Sequence, residues 1–242
     1  MSAVLEPKTA AVPSPPPAVN GVPSAASPAS AGQILLLENV GWQAYEMLGE
    51  AFWDKAGVRM TYDRERLAIM TLSPEHEGWS SLLNRLLEIL AEESNTPMKN
   101  LGSITLKQAD LERGLEPDRC YYVANLPRVR GLKRIDLTRD PPPDLAIEVE
   151  VTQSAVSRLP IYSALQVPEV WRFDGERIAM LGRSATGAYE ELPRSRIFPM
   201  VSAAELLDFM RIGQSQDDTT MARAFRQWLR QRLATPAPEK PE

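Results

Sequence analysis

One short segment, residues 141–152, constrains the fold of this chain more than any other. Three consecutive prolines precede a run in which aliphatic and acidic residues alternate. Successive side chains of a strand point to opposite faces, so one face here is wholly aliphatic and the other carries Glu148 and Glu150. The pattern therefore predicts a core strand over 145–151 with two neighbouring carboxylates on one face.

Two interpretations of this acidic face are open. It could be the solvated face of a strand at the edge or surface of a sheet. Alternatively, because neighbouring carboxylates repel unless a positive group lies between them, it could bind a divalent cation. Asp118 precedes another predicted strand, 119–123, and would reach the side of Glu148 if the two strands pair. Asp118, Glu148 and Glu150 could then bind Mg²⁺ or Mn²⁺, with water completing the shell.

The remaining patterns predict an α+β fold, with a mixed sheet flanked by helices. The clearest helix covers 73–93, where Ser73 is a suitable N-cap, Pro74 suits the first helical position and leucines follow at three- and four-residue spacing. Residues 59–72 alternate around a charged turn and predict a β-hairpin. Further helices are predicted near 41–50, 157–165, 203–209 and 219–233, and further strands at 103–107, 119–123, 167–173, 177–181 and 189–192.

The ends of the chain differ from its middle. Residues 1–32 are rich in Pro, Ala and Ser and predict a disordered tail, as does 236–242. The folded part, 33–235, is predicted to be a single domain. It contains no run of about 18 apolar residues, which argues against a membrane span, and the N-terminus lacks the apolar region of a secretory signal. We therefore expect a cytoplasmic protein with no membrane partner.

Two single residues limit the possible chemistry. Cys120 is the only cysteine and His76 the only histidine, so an internal disulfide and a structural zinc site are both excluded. Cys120 falls within a predicted strand and is expected to be a core residue. His76 could contact a ligand or substrate, or could simply lie at the surface near the helix start. The net charge of −5 argues against nonspecific coating of nucleic acid.

The order of these motifs resembles a known nuclease pattern. Pro117-Asp118, followed about thirty residues later by Glu148-Val149-Glu150, resembles the PD-(D/E)XK superfold. More closely, the chain resembles the Uma-type family of restriction endonuclease-like proteins within that superfold. The resemblance covers about residues 40–210, and the stretches that carry it are 73–76, 116–123, 135–137, 142–149, 161–165 and 167–171.

This resemblance implies a restriction-endonuclease-like core and a magnesium-dependent (or manganese-dependent) endonuclease acting on DNA. It implies that Asp118 and Glu148 are metal ligands, and Glu150 could share the ion. Glu150 stands where the superfold usually has a lysine. Arg158, at the start of the following helix, would supply the positive charge of that lysine. Arginine stabilises a transition-state phosphate well but is a poor general base, because its pKa exceeds 12. Nucleases that cut both strands are often homodimers, so we expect a homodimer here.

Other readings remain open. Arg130, Lys133 and Arg134 belong to a basic run between the two acidic strands, which either contacts phosphates or is a solvated loop. Because the usual lysine is missing, the chain could be a catalytically impaired nuclease-fold module that binds nucleic acid or a protein partner. A glycoside hydrolase with paired carboxylates is disfavoured, since Glu148 and Glu150 share one strand instead of flanking a cleft.

Overall fold

In the computed structural model, which describes residues 32–53, 55, 57–151 and 155–234, the longest helix is the predicted one. It runs from Pro74 to Glu93, and the Ser73 hydroxyl caps it by accepting a hydrogen bond from the His76 backbone N–H at 3.2 Å. Glu75 and Glu77 in the first turn complement the positive end of the helix dipole. The predicted cap and boundaries are confirmed.

The described helices and strands alternate irregularly along the chain. Their order is β1 (Ile34–Leu37), α1 (Trp42–Phe52), β2 (Val58–Asp63), β3 (Arg66–Thr71), α2 (Pro74–Glu93), β4 (Lys99–Gly102), β5 (Leu106–Gln108), β6 (Arg113–Leu115), β7 (Arg119–Tyr122), α3 (Leu126–Val129), β8 (Leu145–Val149), α4 (Leu159–Ala164), β9 (Glu169–Phe173), β10 (Ile178–Arg183), β11 (Tyr189–Glu191), α5 (Ala203–Ser215) and α6 (Asp218–Ala234). A short 3₁₀ turn, Ala109–Leu111, joins β5 to β6.

The strands form two sheets where the sequence predicted one. The first has five strands in the order β1-β3-β2-β6-β5, all antiparallel, and contains the predicted hairpin of β2 and β3. Arg64 and Glu65 at the tip of the hairpin both have positive φ, as a two-residue turn that matches strand twist requires. Strands β1, β4 and β6 were not predicted, because each is only three or four residues long and shows little alternation.

The second sheet is the mixed sheet that the sequence predicted. Its order is β11-β10-β9-β8-β7-β4, and β8 and β9 are parallel while the other pairs are antiparallel. Strand β8 lies inside this sheet, between β7 and β9, and all five of its residues are buried. The alternative of a solvated edge or surface strand is therefore wrong.

Both faces of β8 are covered. Leu145, Ile147 and Val149 pack into the largest core cluster, together with residues of α2, α5 and α6. Ala146 on the opposite face packs with residues of α4 and of the first sheet, including Ile161. The acidic face of β8 is thus enclosed between the second sheet and the first sheet with α4.

The predicted disordered tails lie outside the described residues, apart from Gly32. The α+β class is confirmed. Among the described residues, no helix is both long enough and apolar enough to cross a bilayer.

Candidate active site

The site is built on a pair of carboxylates from two adjacent strands. The antiparallel register pairs Arg119 with Ile147, which places Asp118 opposite Glu148. The Asp118 backbone N–H donates to the Ile147 carbonyl at 3.2 Å. Asp118 is 6% exposed and Glu148 is 3% exposed. The two acidic strands therefore pair, which is the condition under which the sequence placed Asp118 on the side of Glu148. Two carboxylates that are 30 residues apart thus meet at one buried position.

Asp118 is held by the backbone and lies against His76. Its Oδ2 accepts a hydrogen bond from the Val149 N–H at 2.7 Å. The Nε2 of His76 lies 3.1 Å from the same oxygen. The imidazole is only 4% exposed, so the surface role that the sequence left open for His76 is wrong. Among the described residues, neither ring nitrogen has a partner with hydrogen-bond geometry, so the short contact to Asp118 is an ion-pair contact without an aligned hydrogen bond.

The charge state of His76 follows from these neighbours. Burial is the largest single effect and lowers the pKa of His76, but the carboxylates of Asp118, Glu77 and Glu148 together raise it by more. The pKa therefore lies above its usual value. A protonated imidazole has two N–H donors, so His76 can face Asp118 and still offer a donor to another group.

Glu148 is held by an arginine and a tyrosine. Its Oε1 accepts hydrogen bonds from the Tyr162 hydroxyl and from Nε of Arg158 at 3.0 Å, and Nη2 of Arg158 lies 2.8 Å away. The Oε2 atom takes part in none of these contacts. Burial raises the pKa of Glu148 to about 7; the charge of Arg158 opposes this rise and that of Asp118 reinforces it.

Arg158 joins the two sheets at the site. It is the N-cap residue of α4, and its side chain is buried. Its Nη1 donates to Oγ1 of Thr61 on β2 at 3.2 Å, and its Nη2 donates to the Glu116 carbonyl at 2.6 Å. Burial is the largest single effect and lowers the pKa of Arg158, but Glu148, Tyr162 and Asp118 together raise that pKa above its usual value. The guanidinium therefore neutralises and positions Glu148.

Glu150 is directed to a different partner. It follows the end of β8, and its carboxylate binds Arg172 of β9, with Oε1 at 3.1 Å from Nε and a close contact to Nη2. Within the described ranges, no three His, Cys, Asp or Glu side chains are grouped as a metal site would require. The convergence of Asp118, Glu148 and Glu150 on one ion is therefore not a feature of this geometry.

Two cavities are lined by Glu148, whereas Asp118 lines neither of them. The smaller one has a volume of about 30 Å³ and is lined by His76, Glu148, Glu150, Arg158 and apolar residues of β3. The larger one, about 400 Å³, is lined by Glu148, Glu150, Arg158 and Tyr162, with Arg172 and Arg66. Each arginine of the larger cavity is ion-paired with a carboxylate.

The residues present fit a partly hydrated magnesium ion. Mg²⁺ is usually bound through one or two carboxylates, with water and substrate phosphates supplying the other ligands. Asp118 and Glu148 provide two carboxylates opposite each other on adjacent strands, and Glu148 lines a cavity. Among the described residues, the ring nitrogens of buried His76 have no hydrogen-bond partner, so they can interact with a further polar group.

The predicted basic contacts lie away from the pair. Arg130, Lys133 and Arg134 are exposed on the segment between α3 and β8. Arg134 lies over the ring of Trp53, with its guanidinium carbon 5.4 Å from the ring centroid. No hydrogen bond or ion pair of the described residues joins this segment to Asp118 or Glu148. Their contact with a substrate remains a prediction.

Cys120 and Tyr162 are both buried but differ in their contacts. Cys120 is a core residue as expected, and burial raises the pKa of its thiol to about 12. Tyr162 belongs to the site, because its hydroxyl donates to Glu148. It follows Arg158 by four residues, a spacing that places both side chains on one side of a helical turn. That spacing could have identified Tyr162 as a partner of the site. Thr61 and the Glu116 carbonyl lie on segments distant in sequence from Arg158, so no spacing in the sequence links them to the site.

The fold is consistent with the restriction-endonuclease-like class, since a mixed sheet flanked by helices carries acids on two adjacent strands. Residues 42–215 match the Uma2 family, described as "Putative restriction endonuclease", and the chain belongs to this family. A search of curated proteins found no match. The family supports a nuclease at the level of its description and confirms the resemblance seen in the sequence.

Proposed function

We propose that this protein is a metal-dependent endonuclease that hydrolyses phosphodiester bonds of DNA. The observation that carries the proposal is the buried pair of Asp118 and Glu148, held opposite each other on adjacent strands, with Glu148 lining a cavity. These two carboxylates would hold Mg²⁺ or Mn²⁺. When bound, the ion supplies Lewis-acid stabilisation of phosphate charge and lowers the pKa of water. Membership of the Uma2 family supports the nuclease class.

The protein side chains would orient these groups and stabilise charge. The Val149 N–H fixes Asp118, and Tyr162 and Arg158 fix Glu148, so neither carboxylate must reorganise when substrate arrives. Protonated His76 has a free N–H that can donate to a phosphate oxygen. Arg158 would share its charge between Glu148 and the transferring phosphate.

The test is a cleavage assay with matched variants. Wild-type protein is incubated with supercoiled plasmid and with single-stranded DNA in Mg²⁺ or Mn²⁺, beside Asp118→Asn, Glu148→Gln and the control Asp208→Asn. Asp208 is an exposed carboxylate on α5. We expect wild type and Asp208→Asn to cut equally, and each site variant to lose about a hundredfold or more of the rate. Calorimetry with the metal alone should show binding that both site variants lose.

Two further measurements test the role of Glu150 and the oligomeric state. Because Glu150 binds Arg172, we expect Glu150→Gln to reduce cleavage far less than Glu148→Gln. Since double-strand cleavage is often performed by two active sites, we propose a homodimer, which light scattering of the purified chain tests. A wild-type protein that cuts neither single- nor double-stranded DNA or RNA with either metal would refute the nuclease proposal.

A second candidate function is a nuclease-fold module that binds nucleic acid or a protein partner without cutting. The observation that favours it is the buried ion pair: Arg158 already neutralises Glu148, and no third acid completes a metal cluster within the described ranges. An Asp118→Ala, Glu148→Ala double variant that retains full binding, in a protein that never cuts, would support this module. Loss of all binding in that variant would exclude it.

A further inference from the structure

Trp53 is an exposed tryptophan that the proposed active site does not use. It is the C-cap residue of α1 and is 71% exposed. The guanidinium of Arg134 lies over its ring at 5.4 Å, a cation–π contact that ties the basic segment to the end of α1. Arginine covers one face of the indole in this arrangement. The high exposure of the residue leaves the other face open for a second flat group.

The cations of the segment that contacts this tryptophan have no acidic partner among the residues that the structure describes. Arg128, Arg130, Lys133 and Arg134 are all exposed, and none forms an ion pair with a described residue. Many other arginines of the chain pair with carboxylates: Arg66, Arg113, Arg139, Arg172, Arg177, Arg194, Arg211, Arg226, Arg230 and Arg232. In a chain of net charge −5, an unneutralised group of four cations favours an anionic partner.

We propose that Trp53 with Arg130, Lys133 and Arg134 binds a single-stranded segment of DNA. One base stacks on the open face of the Trp53 indole, and the cations contact the phosphates on either side. Stacking on an aromatic side chain requires an unpaired base, because the faces of paired bases are covered within a duplex. The basic contacts add affinity without reading sequence. This inference rests on the proposed function, which supplies DNA as the substrate.

The test measures binding without cleavage. Full-length protein carrying Asp118→Asn is titrated into a fluorescently labelled oligo-dT strand, and anisotropy gives Kd. Trp53→Ala is compared with Trp53→Phe, which keeps an aromatic face, and with Met47→Ala, which removes an equally exposed (71%) apolar side chain from the same helix. We expect Kd to rise about tenfold in Trp53→Ala, less than about threefold in Trp53→Phe, and not at all in Met47→Ala.

Salt dependence tests the cations separately. Each phosphate contact to a single strand contributes about 0.7 to the slope of log K against log salt, so Arg130→Ala with Lys133→Ala should lower the slope by about 1.4. An unchanged Kd in Trp53→Ala would overturn the proposal, as would an equal loss in Met47→Ala or an equal dependence on Trp53 for a duplex of the same length. Failure of the Asp118→Asn protein to bind oligo-dT would also overturn it.

These outcomes separate the surface from the chemistry. If wild type cuts DNA but Trp53→Ala binds oligo-dT normally, the nuclease stands and the stacking surface is wrong. If wild type fails to cut DNA, yet Trp53→Ala still weakens oligo-dT binding about tenfold, the stacking surface is supported and the cleavage proposal is wrong.

Discussion

Removing the buried cation at Arg158 is expected to destabilise the protein strongly. In Arg158→Met, Glu148 would lose the guanidinium that contacts its Oε1 at 2.8 and 3.0 Å, and the hydroxyl of Thr61 and the Glu116 carbonyl would lose a donor. Breaking a buried ion pair by deleting one partner costs about 3–5 kcal/mol, because the remaining charge is uncompensated. We expect a loss of this size in the free energy of unfolding at pH 8.5.

The cost depends on pH because Glu148 can take up a proton. Its pKa is already about 7 in the folded protein, and losing Arg158 raises it further. Below pH 7 the carboxyl group is largely neutral in both proteins, while above pH 7 only the wild type holds a compensated charge. The destabilisation by Arg158→Met must therefore grow as pH rises through 7, and be smaller at pH 5.5 than at pH 8.5.

Urea unfolding at both pH values measures this effect, with two comparison variants. The double variant Glu148→Gln, Arg158→Met removes both charges. Its loss in free energy of unfolding should therefore be smaller than the summed losses of the two single variants by at least about 2 kcal/mol. Arg172→Met removes the half-exposed partner of Glu150 and should cost no more than about 1 kcal/mol. Two results would refute this reasoning: a loss in free energy of unfolding below about 1 kcal/mol in Arg158→Met at pH 8.5, or a double variant whose loss equals the sum of the two single losses.

Three further changes test the surroundings of the pair. Tyr162→Phe removes the hydroxyl that donates to Glu148 and should lower stability by about 1–2 kcal/mol in urea; an unchanged midpoint would contradict that hydrogen bond. Because the pKa of His76 is raised in the folded protein, its protonation stabilises the fold fully below the unfolded pKa of 6.5, and this stabilisation is lost as pH rises through the folded pKa. The difference in Tm between wild type and His76→Asn should therefore shrink between pH 5.5 and 9. A growing difference would show that Asp118 does not hold the imidazolium. Ser73→Ala should cost about 1 kcal/mol by removing the cap of α2, whereas Ser73→Thr, which keeps a hydroxyl, should cost less.

The sequence predicted the elements whose signals are local. The alternation over 145–151 predicted β8, the cap and leucine spacing predicted α2 within one residue, and the charged turn predicted the hairpin. Each of these signals depends on the period of a single element, 2 for a strand and 3.6 for a helix. Short strands such as β4 and β6 lack enough residues to show a period, so the first sheet was not recognised as a separate layer.

The position of Glu148 in the site was also predictable from the period of a single element. The strand period placed Glu148 on one face, and pairing of two neighbouring strands then brought Asp118 opposite it. The direction of Glu150 was not predictable in this way, because its partner Arg172 belongs to a parallel strand that the intervening helix brings alongside.

The alternation and spacing along the chain were enough to predict the acidic strand and the likeness to a nuclease family. How those acids are held depends on the packing of distant segments. Thr61 and Arg158 are 97 residues apart, and His76 and Asp118 are 42 residues apart, yet each pair is in contact. Such contacts depend on how two sheets and a helix terminus pack together, and no local period encodes that packing. The packing raises the pKa of Glu148 through burial, and it raises the pKa of His76 through the neighbouring carboxylates, against the effect of burial.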